Sequence, residues 1–264
     1  MDFRNQKGLI DDHKLGRTRF VVVGAGAIGS NVVVALSKMG ATQITVYDFD
    51  TIEVHNLANQ FYPKNQLGKA KVLALKEIAA DYGDCEITAI NEPWTPDNAI
   101  EADVVISAVD NMEVRKAVWD YYKPQPVVLV CSVDEHSQQR SVGVPRLFLD
   151  GRMGPFVYKV YGVDTTNMAA VKRYEDSLHS QEEGSQEKCG HKSIIYTVAQ
   201  VGAQIVSQVR SFIMDEQYRP TEVIGDCFND EIYKQYDVER KLEVMEAEPD
   251  EVEQEGVTKV VQAV

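Results

Sequence analysis

Apolar residues fall along this chain in two rhythms that take turns. Short apolar runs occupy residues 19–23, 43–47, 86–90, 103–107 and 126–131, and several of them close on Gly, Asp or Asn. Such runs predict buried strands. Between them lie segments of helical composition. Residues 27–39 stop at Gly40, residues 69–82 place Val72, Leu75, Ile78, Ala79 and Tyr82 on one face, and residues 111–122 form a third. Strands alternating with helices predict right-handed crossovers and a parallel sheet covered on both faces. The expected class is α/β, a doubly wound, mostly parallel, Rossmann-like sheet.

The rhythm changes after residue 140. Ser141-Val-Gly-Val144 and Arg146-Leu-Phe-Leu149 read as strands that no longer alternate with helices, which predicts antiparallel C-terminal strands beside a crossover insertion. Asp150-Gly-Arg-Met-Gly154 reads as a turn at a strand exit, with Arg152 open to two uses: a surface arginine, or a contact to a phosphate or a partner's carboxylate tail. A short helix is expected at 169–178 and a polar, mobile loop from His179. A long helix at 193–214 follows, with Ile194, Val198, Val201, Ile205, Val209 and Ile213 in a core-facing stripe. The expected organisation is one domain over 1–236, with a crossover and cysteine-bearing loop at about 150–192, and an acidic tail over 237–264.

Composition narrows the setting. Of 264 residues, 44% are hydrophobic and 26% charged, as in ordinary globular chains. No run approaches the ~20 apolar residues of a membrane span, and the N-terminus lacks an apolar signal core, so a cytoplasmic protein without membrane contact is expected. A formal charge of −14 argues against nucleic acid as the main partner, since phosphate backbones call for Lys and Arg clusters. Residues 237–256 hold nine acidic side chains against Arg240 and Lys241, so the segment is a solvated tail or a docking tail for a basic partner. The four cysteines, Cys85, Cys131, Cys189 and Cys227, form no Cys-x-x-Cys pair, which argues against a disulfide framework or a four-cysteine zinc site.

The candidate chemistry begins at Gly24-Ala-Gly-Ala-Ile-Gly29, directly after a predicted strand and opening a predicted helix. There the glycines allow a tight turn, close approach of a ligand to backbone, and close helix packing, while the helix N-terminus favours phosphate. Asp48 ends the next strand 19 residues past Gly29, where a carboxylate accepts ribose hydroxyls. To this point a nicotinamide-dependent oxidoreductase fits as well as any other nucleotide enzyme.

The following residues separate the readings. Asp48-Phe-Asp50, His55-Asn-Leu-Ala-Asn-Gln60, Lys71 after Leu67-Gly-Lys-Ala, and Val109-Asp-Asn111 occur in that order. Together they resemble the ubiquitin-activating-enzyme superfamily in its small ThiF/MoeB/HesA form, most closely over residues 17–131. The resemblance implies Mg2+- and ATP-dependent adenylation of the C-terminal carboxylate of a ubiquitin-like or sulfur-carrier protein, supplied as a separate chain, by an enzyme that pairs as a homodimer. It further implies that Gly24, Gly26, Gly29, Asp48, Asp50, Asn56, Asn59, Gln60 and Asn111 line the nucleotide site. Asp48 would hold the ribose, Lys71 would pair with phosphates, and Asp110 would hold Mg2+. Read singly, Lys71 is a solvated helix residue and Asp110-Asn111 a helix N-cap.

Two departures stand out. Asn59 occupies the place of the family's usual arginine, which removes a phosphate-contacting cation and keeps open a non-catalytic subunit of an activating-enzyme heterodimer. No zinc is expected, unlike in ThiF and MoeB. Arg4 loosely resembles an N-terminal arginine that some members insert into a neighbour's ATP site. Cys189, in Glu187-Lys-Cys-Gly-His-Lys192, is placed like the thioester cysteine of the shorter activating enzymes. Adjacent cations and a following helix N-terminus would favour its thiolate. Cys85 and Cys131 read as packed and inert, and Cys227 as part of a late strand.

Overall fold

The computed structural model describes residues 2–124, 143–178, 193–216 and 219–236. The strands β1 (Arg19–Val23), β2 (Gln43–Tyr47), β3 (Glu86–Ile90), β4 (Val104–Ser107), β5 (Leu147–Met153), β6 (Val157–Asp164), β7 (Glu222–Asp226) and β8 (Glu231–Gln235) form one sheet. Its order is β3-β2-β1-β4-β5-β6-β7-β8. Pairing is parallel from β3 through β5 and antiparallel from β5 through β8. The expected fold class is the observed one.

The sheet is doubly wound because its central strands are apolar on both faces. Phe20, Val22, Ile44, Ile106 and Leu149 face a core shared with α1 (Asp12–Arg17), α2 (Ala27–Met39), α3 (Lys71–Tyr82) and α6 (Ile195–Ile213). Val21, Val105 and Phe148 face a second core shared with α4 (Met112–Tyr122) and α5 (Met168–Asp176). Among the described residues no helix is long and apolar enough to cross a membrane.

Several sequence expectations shift. Helix α3 starts at Lys71 rather than residue 69, because Ala70 bridges back to Thr51 and Lys69 O accepts from Ile52 N. Tyr82 is not core; Lys38 Nζ lies 4.5 Å from its ring centroid at the surface. Asp150-Gly-Arg-Met153 is no turn: it is the second half of β5, which pairs in parallel with β4 before the antiparallel strands begin. The polar letters hid a strand whose charges are compensated in the interior. Gly143 and Val144 form no strand, the α5 helix is shorter than residues 169–178, and the expected strand at 126–131 lies outside the described residues. Helix α6 begins at Ile195, and Ile194 at its start is exposed rather than part of the stripe. Cys189 lies outside the described residues. Cys131, His191 and the acidic tail also lie outside. Cys227 follows β7 rather than belonging to it, its Sγ 3.5 Å from Gln200 Oε1.

Candidate active site

The order in which strands are added to the sheet reverses between the parallel β1 and β4, so their carboxyl ends open a crevice where α/β sheets bind ligands. The glycine turn fills one side of it. Gly24 has φ of +96°, and a Cβ there would lie 2.7 Å from Ala108 O, so the turn nestles against the loop leaving β4. A Cβ on Gly29 would stand 1.8 Å from Gly24 O. Gly26 differs: an added Cβ would meet nothing within 4 Å. Packing dictates two of these glycines, and open space surrounds the third. Gly26 is also the N-cap of α2, and no side chain caps that end, which leaves first-turn amides and the positive end of the helix dipole for an anion.

This contrast carries a prediction. Gly26→Ala should fold with a melting temperature within about 2 °C of the parent, because its methyl needs no protein atom to move. It should lose roughly ten-fold or more in nucleotide affinity where ligand backbone approach is blocked. Gly29→Ala should instead lose on the order of 2 kcal/mol of stability through overpacking against backbone. Thermal melts with and without ATP check both; equal destabilisation of the two variants would show that Gly26 is a packing residue.

The segment after β2 wraps this turn. Asp48 Oδ2 accepts from Ala25 N at 2.7 Å and Oδ1 from Asp50 N at 2.8 Å. Tyr62 OH donates to Ala25 O at 2.7 Å, and Phe61 N donates to Ser30 Oγ on α2 at 3.0 Å. Burial, with Asp48 and Asp50 nearby, pushes the Tyr62 phenol far above its ordinary value and keeps it a neutral donor. Tyr62 and Ser30 were not legible as site residues, since neither belongs to a recognisable motif.

Lys71 is not a solvated helix residue. It is buried, its Nζ lies 2.7 Å from Asp50 Oδ2, and its own N–H donates to Asp50 O at 2.9 Å. The ammonium is therefore held by a carboxylate two residues past Asp48. Asn56 is buried and accepts from Glu53 N through Oδ1 at 2.8 Å. Gln60 N donates to Asn56 O at 2.9 Å, while its own Oε1 is buried and meets no donor among the described residues. Asn59 is engaged elsewhere: its Nδ2 donates to Ser193 Oγ at 2.8 Å, tying this segment to the approach of α6. On the other side of the crevice, Asn111 Oδ1 accepts from Glu113 N and Val114 N and caps α4, so the cap reading holds for Asn111. Asp110 precedes it at the exposed rim.

An orphaned buried carbonyl oxygen and a cradle that a Cβ would fill fit a nucleotide with an amino edge and a phosphate chain. Mg2+ also fits the donor set, because it keeps several waters and takes one or two carboxylates plus phosphate oxygens. No cluster of three or more His, Cys, Asp or Glu able to hold a metal occurs among the described residues. A hollow of about 620 Å³, lined by Ile52, Glu53, Val54, His55, Leu67 and Gly68, opens beside the wrapping segment and includes neither the glycine turn nor Lys71.

Arg152 is neither a surface arginine nor offered to a partner. Its Nε lies 2.7 Å from Asp150 Oδ2 and its Nη1 and Nη2 donate to Ser177 O and Oγ, each at 3.0 Å. Arg4 pairs with Asp2 at 2.7 Å. Neighbouring Phe3 packs at Gly40, the far end of α2, about 20 Å along that helix from its own glycine turn.

Comparison with known proteins gives the chain a family and a fold. The profile described as ThiF family matches residues 4–250. Ubiquitin-like modifier-activating enzyme 5 of Caenorhabditis elegans is 30% identical over 128 residues, which is 42% of this chain and 30% of that protein. The chain thus spans about a third of the first curated relatives it matches. The crystal structure of Escherichia coli MccB with ATP aligns with a TM-score of 0.59 at 14% identity, over 85% of this chain and 64% of that one. The Escherichia coli tRNA N6-threonylcarbamoyladenosine dehydratase TcdA aligns with a TM-score of 0.56 at 20% identity, over 78% of this chain and 89% of that one. At these identities the two structures speak for the fold.

Proposed function

The chain belongs to the ThiF family, and from that premise we propose that it is an adenylyltransferase that activates the C-terminal carboxylate of a ubiquitin-like or sulfur-carrier protein with ATP and Mg2+. The observation that carries the reading is the open space at Gly26 at the uncapped end of α2, next to Ala25, whose N–H is held by Asp48, itself linked through Asp50 N to the Asp50–Lys71 pair. A phosphate chain on the α2 amides would stand where Lys71 can exchange Asp50 for phosphate oxygens. Asp48, already oriented by two backbone amides, would take the ribose hydroxyls.

The reaction then needs little covalent chemistry from the protein. A substrate carboxylate oxygen attacks the α-phosphorus, the bond to the bridging oxygen breaks, and pyrophosphate leaves with that electron pair. The chain's task is to hold the two anions together and offset their charge. Mg2+ on Asp110 would neutralise phosphate oxygens. In a second step the Cys189 thiolate would attack the acyl carbon, forming a thioester and releasing AMP. A cytoplasmic homodimer is the proposed setting. Asn59 favours one further reading, a non-catalytic subunit, because it binds Ser193 rather than standing in for a cation. The oxidoreductase alternative has the glycine turn and Asp48 in its favour and leaves Asn56, Gln60, Lys71 and Asp110 without a shared role.

Calorimetry with ATP plus Mg2+, NAD+ and NADH tests the reading. Micromolar ATP binding with no response to NAD(H) is expected, and binding of NAD(H) alone would overturn adenylation. Pyrophosphate exchange with a carrier distinguishes an enzyme from a silent subunit. The thioester step predicts a carrier adduct, cleaved by thiol, that disappears in Cys189→Ser. Cys85 should stay inert to iodoacetamide in the native protein, since burial raises its thiol pKa. A thiol-cleavable adduct that survives in Cys189→Ser would remove this cysteine from the mechanism.

A further inference from the structure

Beneath the loop that carries Asp110 lies a charged cluster that the reaction above does not use. Register places Asp150 of β5 opposite Ser107, the last residue of β4, and Asp150 is completely buried. It accepts from Arg115 Nε at 2.8 Å, from Arg152 Nε at 2.7 Å and from Tyr174 OH at 3.1 Å. Arg115, on the first turn of α4, is itself buried. Its three nitrogens are all committed. Nε serves Asp150, Nη1 lies 3.8 Å from Met112 Sδ, and Nη2 donates to the carbonyl of Val109.

We propose that Arg115 is a positioning residue for the metal-binding loop: held by Asp150, it grips the Val109 carbonyl and fixes the direction in which the next residue, Asp110, presents its carboxylate. The assignment rests on the adenylation reading, in which Asp110 holds Mg2+. A guanidinium suits this task because its planar fork carries donors at fixed, separated positions that reach a carboxylate on one side and a carbonyl on the other. With its nitrogens already occupied inside the protein, Arg115 acts on the loop and not on a phosphate. Outer-shell partners of metal ligands commonly change metal affinity 10–100-fold when removed.

The test uses full-length protein and the variants Arg115→Met and Arg115→Lys. Arg115→Met should fold, because Asp150 keeps Arg152 and Tyr174 as donors; Arg115→Lys retains the charge should methionine prove too disruptive. ATP binding is measured by calorimetry in EDTA and across a Mg2+ titration. Affinity in EDTA should stay within about two-fold of the parent in both variants. The strengthening by Mg2+ should fall about ten-fold. Hydrogen exchange of the amides of residues 110–114 should accelerate in ligand-free protein. A purely structural role would weaken binding equally with and without Mg2+, and that result, or an unchanged Mg2+ response, overturns the assignment alone. Parent protein that binds no ATP overturns the adenylation reading and the assignment together.

Discussion

Asp110→Ala should cost about 10²–10³-fold in carrier-dependent pyrophosphate exchange while leaving the fold intact. The size follows from removing one preorganised electrostatic partner of a transition state whose charge develops on phosphate oxygens. The fold should survive because Asp110 sits at the exposed rim of the β4 loop and the cap of α4 is made by its neighbour. Asn111→Ala is the informative control. It deletes the acceptor for Glu113 N and Val114 N and should cost about 1 kcal/mol of stability, a few degrees of melting temperature, without a comparable change in Mg2+ dependence. The pair of variants separates metal holding from helix capping at adjacent residues. Exchange preserved in Asp110→Ala would place the metal elsewhere.

The sequence carried the fold because its periodicities are local. Residues 19–23, 43–47 and 86–90 are strands in the structure as predicted, and 27–39 is a helix. Asp48 and Tyr62 both hydrogen-bond to Ala25 inside the glycine turn. Three things were out of reach because they depend on distant partners. Lys71 reads as a solvated helix residue until folding delivers Asp50 from 21 positions away. Asn59 gains its meaning only from Ser193, 134 positions on. Asp150 and Arg152 looked like turn residues because polar letters in a strand read as surface, yet register sets them under α4 and α5 among Trp119, Phe148 and Tyr174. The one sign was the register that sets Asp150 opposite Ser107 at the end of β4, and it becomes visible only once strand order is known.

That interior cluster makes Asp150→Ala the most destabilising substitution expected at a charged position of the described chain. Asp150 is the shared acceptor of the buried Arg115 and the partly buried Arg152, so its loss deprives two cations of their carboxylate rather than one. Breaking a buried pair by removing one partner costs about 3–5 kcal/mol, because the remaining charge has no water to turn to. Burial alone would lower the Arg152 pKa, and the nearby Asp150 carboxylate outweighs that and raises it, which is how strongly this charge is held by its partner. A melting temperature lower by roughly 8–15 °C is expected for a chain of this length. Asp103→Ala provides the contrast: its pair with Arg19 at 3.0 Å is solvent-exposed and should contribute under about 1 kcal/mol. The same logic fixes a sign for the double variant. Replacing Arg115 by Met alongside Asp150→Ala removes one of the two stranded cations, so the double variant should be more stable than Asp150→Ala alone. A double variant that is additively worse would mean that Asp150 stabilises the fold by packing, and that its charge is incidental to the junction of β5, α4 and α5.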